Sequence, residues 1–488
     1  MSGAVRVARN TIWLFGSKSW MMMLTFGFFV FAARFLGAAG LGQFSLLKGY
    51  FELFVSLAAS ALTTVLVREI AARPGQARKL ISSAAAVAVP LALTGGAVLY
   101  GLAVLLDYSG QTRALTLIVG MALVPASLSL LLESVFVAFE RGSLVATITL
   151  TETTLRTGLS VLALLAGYGV AALLAVLLLT RTLMLLHGIL LIGRHLGRVR
   201  PHFHAKTTRS LLLKWRTFAV ENWTTDLFWS LDIVLLSVLL GETAVGIYSA
   251  AYRLINAVWV VGVSFVRAIY PFLTRLYYSA PERYLQVTRQ TFSVLVLLAI
   301  PAVVLGAHVS PQLISLLYGQ EYLAAAPVLA ILLGVAAFRL VNPFLSFALF
   351  AQGRQLASLR ASLLSLLVYV PLLWLFTRAW GEAGTAGALL AASAVAAAGY
   401  AIQLFGPGMR AQVAQQVMRS LAAGVLTFAL LQGLNILPLT LRLLLTTLAY
   451  ALLLLALGLV TPAQLRAGAG AVGRTTQRAF HSGKEGAQ

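Results

Sequence analysis

The sequence predicts an all-α polytopic membrane protein of about fourteen transmembrane helices, arranged as two pseudo-symmetric six-helix lobes with two further C-terminal helices. Three observations lead there. Of 488 residues, 60% are hydrophobic and 10% charged, with mean hydropathy +0.91, whereas a soluble domain carries roughly 25% charged residues. The apolar residues fall into segments near the ~20 residues that a spanning helix needs. A ten-residue pattern recurs at equivalent places in the two halves.

In chain order the segments are 11–35, 43–67, 81–106, 114–139, 143–166 and 169–193, then 214–240, 245–274, 286–308, 325–351, 356–378, 383–405, 419–437 and 440–460. The first follows a short basic lead, Arg6 and Arg9, and is too long for a signal-peptide core, so it reads as a retained helix. The longest connection, 194–213, is basic and divides the chain. The domain reading is 1–193 for the N-lobe, 194–213 for a cytoplasmic linker, 214–405 for the C-lobe, 406–460 for the last two helices and 461–488 for a tail. No connection is long enough for a globular domain.

Charge orients the segments. If the N-terminal side is called inside, 25 of the 36 basic residues lie in inward-facing segments and 4 (Arg34, Arg113, Arg378 and Arg442) in outward-facing ones. A miscounted span would invert every later loop, so this ratio supports the scheme. It predicts a cytoplasmic (inner) membrane protein with both termini in the cytoplasm. The net charge of +22 is explained by that topology, and nucleic acid is not an expected partner. The chain has no cysteine, so disulfides and cysteine metal sites are excluded.

The repeat reads LGAAGLGQFS at 36–45 and LGETAVGIYS at 240–249, an offset of 204 residues. Each copy joins the first two helices of its half, and its glycines suit a tight turn. An even number of helices per half makes the repeats parallel, related by an axis along the membrane normal.

Charges within the spans are the candidate site residues. Glu221, Asp226, Asp232, Arg253 and Arg267 have no opposite charge three or four residues away, and an isolated intramembrane charge normally serves a cavity or a partner helix. Arg253, Arg267, Arg181, Arg339 and Lys18 form the expected cationic set for an anionic substrate, although Lys18 also suits snorkelling. Asp232, Asp226 and Glu221 are the expected gating or ion-coupling acids. Arg253 and Arg267 are fourteen residues apart, nearly four turns, and so share a helix face ~21 Å apart along the axis. Lys48–Glu52 and Glu152–Arg156 have i,i+4 spacing and read as self-neutralised pairs.

Enzyme signatures are lacking. There is no Walker A, H-E-x-x-H or G-x-S-x-G run, and Ser45–Lys48 fits S-x-x-K without the accompanying motifs. His202 and His204 lie in a basic loop and read as solvated. The short outward-facing loops argue against a polysaccharide polymerase or ligase.

Four motifs carry a family resemblance. Leu36-Gly37 with Gly42 and Arg68-Glu69-Ile70-Ala71 resembles the N-terminal signature of polysaccharide-transport proteins, which include the Wzx-type O-antigen flippases. The stretch 246–253, GIYSAAYR, is similar to that family's eighth-helix motif, Pro271 with Thr274-Arg275 to its close, and 317–322, LYGQEY, to the segment before helix ten. The resemblance covers about 10–350. It implies membership of the multidrug/oligosaccharidyl-lipid/polysaccharide exporter (MOP) superfamily, and movement of polyprenyl-pyrophosphate-linked oligosaccharide to the outer leaflet by alternating access. Expected partners are that substrate and membrane lipids, with glycosyltransferases and a polymerase of the same pathway as candidates. No cofactor is expected, and H+ and Na+ are the candidate coupling ions. The alternative is a multidrug/cation antiporter of the same fold.

Overall fold

The computed structural model describes residues 3–197, 204–433 and 438–456, all of them in helices or short connections. The helices are α1 (Gly3–Val55), α2 (Ala61–Ala72), α3 (Ala77–Leu105), α4 (Gly110–Ala138), α5 (Gly142–Leu165), α6 (Val170–Leu196), α7 (Ala205–Leu240), α8 (Glu242–Ser279), α9 (Pro281–Tyr318), α10 (Ala325–Ala351), α11 (Gln355–Leu404), α12 (Pro407–Gly433) and α13 (Leu439–Ala456). Among the described residues, nine helical stretches are long and apolar enough to cross a membrane. Two of these are double. Gly37 breaks α1, and Trp380–Gly381 breaks α11, so each holds two passages. Counted this way there are eleven, and α5, α7 and α13, which are shorter or less apolar, overlap the other three of the fourteen segments expected from sequence.

Continuous helix is the physical answer to an apolar environment, because each backbone N–H and C=O must be paired within the segment. Prolines interrupt the ladder inside the eight-turn helices α3 and α4, and a hydroxyl one turn later bonds back to each proline's own carbonyl: Thr94 donates to that of Pro90 at 2.8 Å and Ser129 to that of Pro125 at 2.7 Å. A five-residue π-turn, Ser56–Ser60, joins α1 to α2. α7 starts at Ala205, inside the stretch read as a connection. The reason is a short amphipathic turn, in which Leu211 is buried while Lys206 and Arg209 face outward.

Contacts divide the chain into two units. The first comprises Met1–Arg253, Ile314–Ala325 and Leu373–Thr385; the second comprises Leu254–Leu313, Ala326–Leu372 and Ala386–Gln488. The expected division at 194–213 is one of sequence; by contacts α7 and the start of α8 belong with α1–α6. The first unit has an apolar core built on Leu66, Ile70, Leu80, Val135, Phe136 and Leu211. The second has one built on Val266, Leu273, Tyr284, Phe344, Leu345 and Leu349, where the Tyr284 hydroxyl donates to the carbonyl of Ala348 at 2.7 Å.

Candidate functional site

The first unit holds most of the described intramembrane charges, drawn from α1, α4, α5, α6 and α8. On α5, Glu152 and Arg156 are one turn apart and paired at 2.9 Å, as their spacing predicts. The pair is not closed on itself. Arg181 of α6 brings a guanidinium nitrogen to 3.9 Å from the same Glu152 oxygen, and its charge lies 5.9 Å from the centre of the Phe51 ring on α1. Glu133 of α4 lies within electrostatic reach of both Arg181 and Glu152. Glu152 is 4% exposed, against 20% and 22% for the two arginines, so the carboxylate is the buried hub and the guanidinium groups reach outward from it.

A second pair borders the first. Lys48 and Glu52 of α1 are ion-paired, and the Glu52 side chain is 64% exposed. A carboxylate this open in mid-span is too costly to face hydrocarbon and so marks a water-facing surface. Arg253 of α8 lies within electrostatic reach of Glu52 and Arg156, and its guanidinium stands 5.4 Å over the ring of Phe29. Aromatic faces hold a cation without neutralising it. Lys48, Arg156, Arg181 and Arg253 thus form a basic cluster, in which shared carboxylates fix the guanidinium groups and leave them able to meet an anion.

The expected site residues fall in both units. Arg181 and Arg253 belong to this cluster. Arg267 and Arg339 belong to the second unit, where Arg267 is exposed and Arg339, only 6% exposed, donates to Asn256 Oδ1 at 2.8 Å. Asp232 is buried on α7 and accepts hydrogen bonds from the Tyr248 hydroxyl and the Ile233 amide, both at 2.8 Å. The side chains of Lys18, Glu221 and Asp226 lie outside the described residues. Sequence reasoning passed over Lys48, Glu52, Glu152 and Arg156 because each already had a helix-local partner. Glu133, which the sequence offers as an interhelical partner for the unpaired basic residues, lies one turn from Ser129, whose hydroxyl reaches the Arg181 carbonyl at 3.3 Å.

Further along the same helices, the two repeat segments meet. Gly37 (φ 66, ψ 179) and Gly241 (φ 82, ψ −176) adopt the same left-handed extended conformation, which is open essentially to glycine alone. Beyond each turn the helices pack backbone to backbone. A Cβ on Gly42 would overlap the carbonyl of Glu242 and stand 2.8 Å from the Gly246 nitrogen; a Cβ on Gly246 would overlap the carbonyl of Ala38 and stand 3.1 Å from the Gly42 nitrogen. The contact is reciprocal, since Ala38 and Gly42 are the repeat equivalents of Glu242 and Gly246.

Hydrogen bonds fasten this end of the unit. Glu321 accepts from the Ala38 amide at 2.8 Å, a carboxylate placed on the free N–H groups of a helix start. Arg34 donates to the carbonyls of Leu316 and Leu317. Tyr322 donates to the carbonyl of Ala33 at 2.9 Å, and burial, with Glu321 and Tyr318 nearby, pushes its phenol up, so it remains a donor. Gln43, Thr112 and Glu242 form a chain across α1, α4 and α8, and Tyr50, Tyr108 and Ser237 another.

The family model described as polysaccharide biosynthesis protein matches residues 7–277, and the MatE model matches 218–375. Among solved structures the chain is similar to the lipid II flippase MurJ in an inward closed conformation, at 13% identity and TM-score 0.72, covering 90% of this chain and 96% of that one. It is also similar to an inward-facing multidrug resistance MATE family transporter, at 16% identity and TM-score 0.57, covering 81% and 95%. A third likeness is to a MOP superfamily transporter from Pyrococcus furiosus, at 13% identity and TM-score 0.53, covering 82% and 95%. At these identities the structural likenesses concern the fold. No match was found among curated proteins. The family model spans more than half the chain and establishes that this protein belongs to the polysaccharide biosynthesis protein family.

Proposed function

We propose that the protein is a flippase that moves a polyprenyl-pyrophosphate-linked oligosaccharide from the cytoplasmic to the outer leaflet by alternating access. The observation that carries this reading is the basic cluster of Lys48, Arg156, Arg181 and Arg253 within a single membrane-embedded unit. A pyrophosphate needs several cations held in place, and arginine's planar fork suits its oxygens. Positive charge facing water also draws an anionic headgroup inward. Arg267 is assigned to capture and Arg253 to the outward-going stage. Coupling, through Asp232 and its neighbours, is to H+ or Na+.

The test is flipping of a fluorescent polyprenyl-pyrophosphate saccharide in proteoliposomes. Arg253→Lys weakens it, while Arg253→Glu and Arg181→Glu nearly abolish it with insertion intact. Wild-type rates in both Glu variants overturn the reading. The MatE match over 218–375 favours one alternative, a cation antiporter. Export of a cationic dye that survives both Glu variants and fails in Asp232→Asn identifies that activity instead.

A further inference from the structure

We propose that the reciprocal crossing of the repeat segments at Gly42 and Gly246 is the outer gate of this transporter, a seal made by backbone contact that must part before cargo leaves. The charge pattern places the Gly37 and Gly241 turns on the outer side, and the charged cluster lies further along the same two helices. From Gly42 to Glu52 is ten residues of α1, ~15 Å of rise; from Gly246 to Arg253 is seven residues of α8, ~10 Å. A path from the cluster past these turns has to separate the helices where they touch.

Three features support a part that opens rather than a permanent weld. First, each glycine packs on backbone, Gly42 on Glu242 and Gly246 on Ala38, so no interlocking side chains need to be extracted. Second, two of the fastenings are polar and made by exposed side chains: Glu321 on the Ala38 amide and Arg34 on the Leu316 and Leu317 carbonyls. Such bonds exchange readily with water. Third, Ser45 and Ser249 lie three residues beyond Gly42 and Gly246, on the same helix faces. Both hydroxyl oxygens are buried without a hydrogen-bond partner among the described residues. Each is the last residue of its repeat. A buried, unpaired hydroxyl disfavours the state that buries it, so the closed arrangement carries a built-in bias toward hydration, placed symmetrically beneath the seal.

The absence of cysteine permits a direct test without substrate, so its outcome is independent of the flippase reading. A Ser249→Cys reporter is exposed, in right-side-out vesicles, to a membrane-impermeant methanethiosulfonate. The parent is expected to label slowly from outside. Gly42→Ala and Gly246→Ala force the helices apart, and labelling is expected to rise by about tenfold or more. Gly49→Ala, whose Cβ would meet nothing within 4 Å, should leave the rate unchanged. Should either alanine variant fail to insert, Glu321→Gln with Arg34→Ala loosens the same end without a clash and is expected to speed labelling too. Rapid labelling of the parent from outside, unchanged labelling in every inserted variant, or acceleration only from the cytoplasmic side would each overturn the proposal.

Discussion

The seal and the charged cluster occupy neighbouring stretches of the same two helices, yet they are built on opposite principles. At the seal, α1 and α8 approach through glycine and alanine backbone, and selectivity is a matter of tenths of an ångström. At the cluster, α1 and α8 present Lys48, Glu52 and Arg253, long side chains whose charges act over several ångströms and whose stems can adjust. One region is intolerant of a methyl group at its crossing; the other should tolerate small changes of shape and fail on a change of sign. A transporter needs both, since a barrier must be dimensionally exact in one state and a binding surface must follow its cargo through several.

The largest stability effect that would sharpen this contrast is expected at Glu152. Glu152→Ala leaves Arg156 and Arg181 largely buried and unpaired, at a cost of about 3 kcal/mol. Thermal unfolding of the detergent-solubilised protein reads this. The double variant Glu152→Leu with Arg181→Met should recover much of the loss, and an unchanged midpoint in the single variant would break the view of Glu152 as the hub. A smaller effect is expected for Tyr248→Phe, which removes one donor from the buried Asp232 carboxylate. The loss is about 1–2 kcal/mol in the same assay, and no loss would mean that Asp232 has other donors sufficient to hold it. Least affected is Lys214→Ala. The Lys214–Glu69 pair, 2.6 Å long with Lys214 47% exposed, links α7 to α2 at the surface, and its removal should cost less than about 1 kcal/mol. That difference should shrink further in high salt.

Much of the fold was legible in the sequence because membrane helices are specified locally. Apolar length and turn glycines are properties of contiguous residues, and the passages overlap the segments expected, although α9 ends ten residues later and α12 begins twelve residues earlier. The miss at α7 had a local cause also, since Lys206 and Arg209 masked the helical phase that buries Leu211. The site was legible only in part. Helix-local spacing gave Lys48–Glu52 and Glu152–Arg156 correctly as pairs, but it could not show that Arg181 reaches Glu152 from another helix, because the rotation of one helix against the next is not written in either one alone. The repeat posed the reverse problem. Its two copies were visible as a pattern, but similarity between segments does not imply that they touch.

That they do touch bears on where the chain came from. In the crossing, Ala38 meets Gly246 while Glu242 meets Gly42, and each pair maps onto the other when the halves are exchanged. A self-complementary surface of this kind is what two identical subunits use to form a closed dimer. The crossing is therefore available to a half-length ancestor as a homodimer interface, complete before any gene fusion. The two copies differ at one of these places: position 38 holds a small apolar residue, while its counterpart, 242, holds a carboxylate that receives the Thr112 hydroxyl. The glycines are the part that neither copy could alter alone, since a substitution in one is felt by the backbone of the other.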